Sequence, residues 1–221
     1  MKRRDFLALG ARAAVAASVL PLPGGRAAVA RTVALTPEAE FEGLLAEGAS
    51  VYADLNLHPL VFEHRQRRLV EHAERLTRRL PTRVSAWYVA ARCRWIDIEG
   101  EWDDLHVLEL LDRAVAVDPG HLPSIVLARH ISDFVGAFEP LDESPLLDKA
   151  IIWAERLVQQ TANHPAAAAL LRAQREFRHC CTGGGDCVPW APGEKERWQQ
   201  LEEEIRHRRW DGISVAALPL W

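Results

Sequence analysis

Apolar residues recur along this chain at the three-to-four-residue spacing of helices, and no segment alternates in the two-residue rhythm of a strand. The clearest stretch is 85–119, SAWYVAARCRWIDIEGEWDDLHVLELLDRAVAVDP. Trp87, Ala90, Ala91, Arg94 and Trp95 fall at i, i+3, i+4, i+7 and i+8, one face of a helix. A turn containing Gly100 follows, and then a second stripe of Leu105, Leu108, Leu111, Ala114 and Val115. Asp103, Asp104, Glu109, Asp112 and Arg113 fall largely outside that stripe. Asp103 and Asp104 occupy the first turn, where negative charge suits the helix dipole, and Pro119-Gly120 is a stop. The pattern predicts a helical hairpin.

The flanking segments read as looser copies of that unit. Thr36-Pro37-Glu38 starts a helix, with Thr36 as cap and Pro37 in the first turn, and Phe41, Leu44, Leu45 and Tyr52 carry its stripe to about Leu55. His58-Pro59 breaks the chain. A longer helix follows through Leu69, Val70, Ala73, Leu76 and Leu80 to Pro81. A third pair starts at Pro123, its first helix carried by Ile125, Leu127, Ala128, Ile131, Phe134 and Val135, and crosses a long loop at 138–145. It returns over 146–162 with Ile151, Ala154, Leu157 and Val158 inward, and Asn163-His164-Pro165 ends it. The fourth pair is split: a helix over 166–178, a Gly/Pro/Cys-rich loop, and a capping helix over 194–209 with Trp198, Leu201 and Ile205 inward. A short apolar tail, 213–221, closes the chain. The expected fold is all-α, about four stacked helical hairpins forming one domain over 31–221.

The central hairpin resembles a tetratricopeptide repeat. Trp87 falls at that family's early aromatic position and Ala91 at its small-residue position. Leu111, Ala114 and Pro119 fall at the late large, small and proline positions, with the typical Asp-Pro ending at Asp118-Pro119. The match is degenerate. Trp87 to Pro119 runs about four residues beyond what the family's period of about 34 allows, which places an insertion around 99–104, and Val107 stands where a small residue is usual. The resemblance implies an α-solenoid, wound as a right-handed superhelix or closed into a compact bundle. It also implies a scaffold or assembly role.

The first thirty residues have the layout of an export signal. Lys2, Arg3 and Arg4 form a basic start, a weakly apolar run follows, and Ala28-Val29-Ala30 supplies an A-x-A cleavage site at Ala28 and Ala30. Arg3-Arg4-Asp5-Phe6-Leu7 resembles the twin-arginine motif R-R-x-F-L, carried by Arg3, Arg4, Phe6 and Leu7. Gly10 and Arg12 interrupt the apolar run, which suits that route better than the general secretory one. The run is too short and broken to span a membrane stably. The expected location is periplasmic or otherwise extracytoplasmic.

Removing 1–30 takes away five basic residues and one acidic, leaving 22 basic against 30 acidic and a net charge of −8. An acidic chain without a basic tract makes nucleic acid a poor partner.

The sharpest local chemistry is the loop 179–193, where His179 is followed by Cys180, Cys181 and Cys187, three of the chain's 4 cysteines. In an oxidising compartment an even cysteine number points to disulfides. Three glycines would let Cys187 return to Cys180 or Cys181, and Cys93 would pair with the one left over. The alternatives are a soft-metal site, with His179, Cys180, Cys181 and Cys187 holding Cu(I) or Zn, or a redox-active thiol pair. The spacing matches no zinc motif and C-x-x-C is absent. None of the 9 histidines forms H-E-x-x-H or H-x-x-H, and no nucleophile elbow, P-loop or dinucleotide fingerprint is present. Of the 8 tryptophans, Trp87, Trp153 and Trp198 fit core positions. Trp102, Trp190, Trp210 and Trp221 fall in turns or the tail, as partner anchors or plugs for hairpin ends.

These features lead to one expectation and one alternative. The first is an exported, non-enzymatic scaffold without a cofactor, whose helix faces hold a protein or peptide, in the assembly of an exported enzyme complex. The alternative is a small metal- or thiol-redox protein acting through the cysteine loop.

Overall fold

A computed structural model of the chain describes residues 35–53, 59–95, 104–136, 144–183 and 190–215. Among these residues the chain forms eight helices: α1 (Pro37–Ala53), α2 (Pro59–Arg79), α3 (Val84–Trp95), α4 (Asp104–Val117), α5 (Leu122–Gly136), α6 (Pro145–Gln160), α7 (Pro165–Gly183) and α8 (Glu194–His207). Two two-residue strands follow, β1 (Arg209–Trp210) and β2 (Ile213–Ser214). The fold is all-α, a stack of helical hairpins, as the apolar spacing predicts.

Local chemistry sets the helix ends. Thr36 Oγ1 accepts the Ala39 amide at 3.2 Å, and Ser144 Oγ accepts that of Leu147 at 3.3 Å with Pro145 in the first turn. Between α4 and α5, the Asp118 carboxylate accepts the Gly120 amide at 2.9 Å, so Asp118-Pro119-Gly120 is a side-chain-closed turn. The α6 end turns through Ala162 and Asn163, both at positive φ, before Pro165 opens α7.

Each helix packs on the next in sequence, and α5 also touches α8. The α2 stripe is buried as expected at Leu69, Val70, Ala73, Leu76 and Leu80. So are Trp198, Leu201 and Ile205 of α8. Helices α3 and α5 depart from a one-sided pattern. Residues 84–86 and 88–93 of α3 and 122–129 of α5 are all buried, which makes these two the interior of the stack. Two ring contacts hold them side by side and pointing the same way: Tyr88 with His121, centroids 5.4 Å apart, and Trp95 with His130, 5.5 Å apart.

Several expectations need correction. Leu105 is 60% exposed, while Val107 and Leu110 are buried. With α3 on one side and α5 on another, α4 buries a broader arc than a single stripe, rotated away from Leu105. Helix α7 runs to Gly183, past the expected end, so Cys180 and Cys181 are helical. No glycine or proline interrupts the chain until Gly183. Helix α8 stops at His207, and the antiparallel pair β1–β2 was not expected at all.

Candidate functional site

The polar chemistry of the interior gathers along α3 and α5 and on the chain's C-terminal end. The β1–β2 turn is Asp211-Gly212, with φ of 46° and 83°, and it connects the pair Trp210↔Ile213. Two consecutive positive φ values in a two-residue loop are what Asp-Gly supplies in a tight hairpin. Asp211 thereby reaches the start of α3. Its Oδ2 accepts the Ser85 amide at 3.0 Å and the Ser85 hydroxyl at 2.6 Å, with Arg83 Nε at 3.7 Å. A carboxylate from the far end of the chain thus caps α3, satisfying a free amide and favouring its dipole.

Beside this cap, His121 is fully buried between rings. Tyr88 meets its edge on one side and Trp210 on the other, at 5.7 Å. Its Nδ1 lies 2.8 Å from Ser124 Oγ, while its Nε2 and the Tyr88 hydroxyl have no hydrogen-bond partner. Burial pushes the His121 pKa down to about 4 against the opposing pull of Asp118 and Asp211, so the ring is neutral near pH 7. The Ser124–His121 pair has the distance of a nucleophile and its base. Both residues are sealed from solvent, however, and here the pair serves packing.

Further along α5, Arg129 is 7% exposed. Its guanidinium lies 5.8 Å from the Trp198 ring and 3.5 Å from Asp133, which also accepts a 2.6 Å bond from Gln174 of α7. The Arg129 Nε has no partner. Burial raises the Glu202 pKa, with the Arg129 and Arg206 charges opposing that rise. A charged seam therefore joins α5, α7 and α8.

The residues singled out from sequence fall elsewhere or against the core. Cys93 is a free thiol, buried on α3, and burial pushes its pKa up to about 12. Cys180 is also free, half-buried on α7. The expected bridge from the loop to Cys93 is therefore not formed at either of these cysteines. α3 packs on α2 and α4, whereas α7 packs on α6 and α8. The Cys181 side chain and Cys187 lie outside the described residues, and His179 is exposed on α7. Among the described residues, no group of three His, Cys, Asp or Glu side chains converges as metal ligands would.

Trp190 and Trp210 are half-buried against the core, and Trp210 Nε1 donates to the Ile205 carbonyl at 2.8 Å. Trp102 and Trp221 lie outside the described residues, as do the signal residues Arg3, Arg4, Phe6 and Leu7 and the cleavage residues Ala28 and Ala30. Asp211, His121 and Arg129 had not stood out in the sequence. The signal for the first was present: Asp-Gly flanked by Trp210 and Ile213 is a strong short-range hairpin marker. Nothing local marks His121 or Arg129, whose roles depend on which helices surround α5.

The architecture is that of an all-α hairpin stack closed at its C-terminal end by a helix and a small β-hairpin. No known protein family matches this chain, and neither a curated protein nor a solved structure does. No described helix is long and apolar enough to cross a membrane.

Proposed function

We propose that this protein is an exported helical-repeat scaffold, related in design to tetratricopeptide repeats, that holds a protein or peptide partner in the assembly of an exported enzyme. The observation that carries this reading is the side-by-side, same-direction arrangement of α3 and α5, the first helices of successive hairpins. Hairpins stacked that way line up equivalent helix faces, a geometry suited to extended or helical ligands. Export rests on the twin-arginine-like start and the A-x-A site. No observation on the described residues favours the cysteine-loop alternative over this one.

The test is photocrosslinking in the exporting cell. A photoreactive residue replaces His130, which is exposed at the α3–α5 contact, or, as a control, Leu105. A discrete adduct from position 130 in the extracytoplasmic fraction, missing from position 105, is the expected result. Retention of the chain in the cytoplasm, or equal labelling from both positions, would contradict it.

A further inference from the structure

The C-terminal segment departs from a simple end cap. A cap covers the last hairpin, but here α8 packs on α7 and also reaches α5. Its β-hairpin continues to His121 at the start of α5 and to Ser85 at the start of α3. One segment, 194–215, thus spans the helices that the scaffold reading assigns to partner binding. Its inward residues are Trp198, Leu201 and Ile205, at i, i+3 and i+7, followed by Ile213 and Val215. That is the anchor spacing of an amphipathic helix bound in a groove.

The fit is incomplete. Beneath and beside α8, Arg129 Nε and Arg206 Nε are buried without partners. The Glu202 carboxyl is pushed toward its neutral form although Arg129 is near enough to pull the other way. Buried groups left unmatched subtract from what apolar contact supplies. Asp211 ties the segment to the start of α3 through Ser85.

We propose that 194–215 is an intramolecular strap occupying the scaffold's own helix-binding face. The partner it stands in for is an amphipathic helix with large apolar residues at i, i+3 and i+7 and an acidic residue placed to pair with Arg129. This inference rests on the scaffold reading and names the partner's chemistry. Binding of such a helix displaces the strap, and the strap lowers apparent affinity by the fraction of molecules in which it is seated.

The test uses the full chain, wild type and the double variant Trp198→Ala/Asp211→Ala, with a labelled synthetic peptide of residues 194–215. The expected result is binding to the variant at least about tenfold tighter than to wild type, lost when the peptide carries Glu202→Lys. Hydrogen exchange in the variant should show 194–215 open while α3 and α5 stay protected. Equal affinity for both proteins, or no binding to a variant whose α3 and α5 stay protected, overturns the strap. So does loss of protection throughout the variant, which would make the segment an inseparable part of the core. The two readings fail separately. If the peptide behaves as expected but position 130 crosslinks no partner, the scaffold role fails and the strap stands. A partner crosslinked equally in wild type and variant leaves the scaffold and removes the strap.

Discussion

The α5–α6 hairpin and the C-terminal segment are both well packed, yet they are held by different physics. Between α5 and α6 the approach is close enough that a Cβ on Gly136 would lie 2.9 Å from the Leu147 amide nitrogen and 3.0 Å from Ser144 Oγ. Ile125 and Ile131 of α5 and Leu147 and Leu157 of α6 are fully buried. In the C-terminal segment an aspartate, a buried neutral histidine and an arginine with one unpaired nitrogen share the interface with the apolar contacts. Dry packing of the first kind is tolerant of pH and salt. The second kind depends on protonation and on single polar contacts, so the two regions should respond differently to the same perturbation.

The largest expected effect is in the dry region. Leu157→Ala should cost about 2–5 kcal/mol, read as a fall in the urea midpoint with an unchanged slope. Next comes pH. His121 titrates near 4 when folded but near its ordinary value of 6.5 when unfolded. The unfolded chain therefore takes up the proton first as pH falls. The resulting stabilisation is complete above about 6.5 and is lost toward 4, by about 3 kcal/mol in all. Comparing the pH dependence of wild type with that of His121→Gln isolates this contribution: wild type should lose about 3 kcal/mol more than the variant between about pH 6.5 and 4, with the gap constant outside that window.

Gly136→Val should cost about 1–3 kcal/mol by forcing the α6 start away from α5, measurable by the same denaturation. Asp211→Asn should cost about 0.5–2 kcal/mol, and hydrogen exchange should place the loss at the start of α3 and in the C-terminal segment, not in α6. Leu105→Glu, at an exposed position, should change stability by less than about 0.5 kcal/mol. A large loss there would restore the one-sided α4 stripe suggested by its sequence.

Helix periodicity made most of this architecture legible. The α2 stripe and the Trp198-Leu201-Ile205 stripe match the buried positions, because each helix presents a single face and the pattern is local. Leu105 turns outward because α4 is contacted from several sides, and then periodicity no longer fixes which apolar residue faces solvent. The Asp211 cap was half legible: Asp-Gly announces a hairpin, but not that its carboxylate meets Ser85 across 126 positions of sequence. The His121 and Arg129 environments are products of assembly. The free Cys93 thiol was not legible either, because cysteine counting carries no information about which helices become neighbours.

Native-state hydrogen exchange of the wild-type protein tests the division between stack and strap most directly. The account predicts that amides of α8 exchange through an opening of lower free energy than those of α5 and α6, with α5 and α6 exchanging only on global unfolding. Identical opening energies for α8, α5 and α6, marking one cooperative unit, would contradict it.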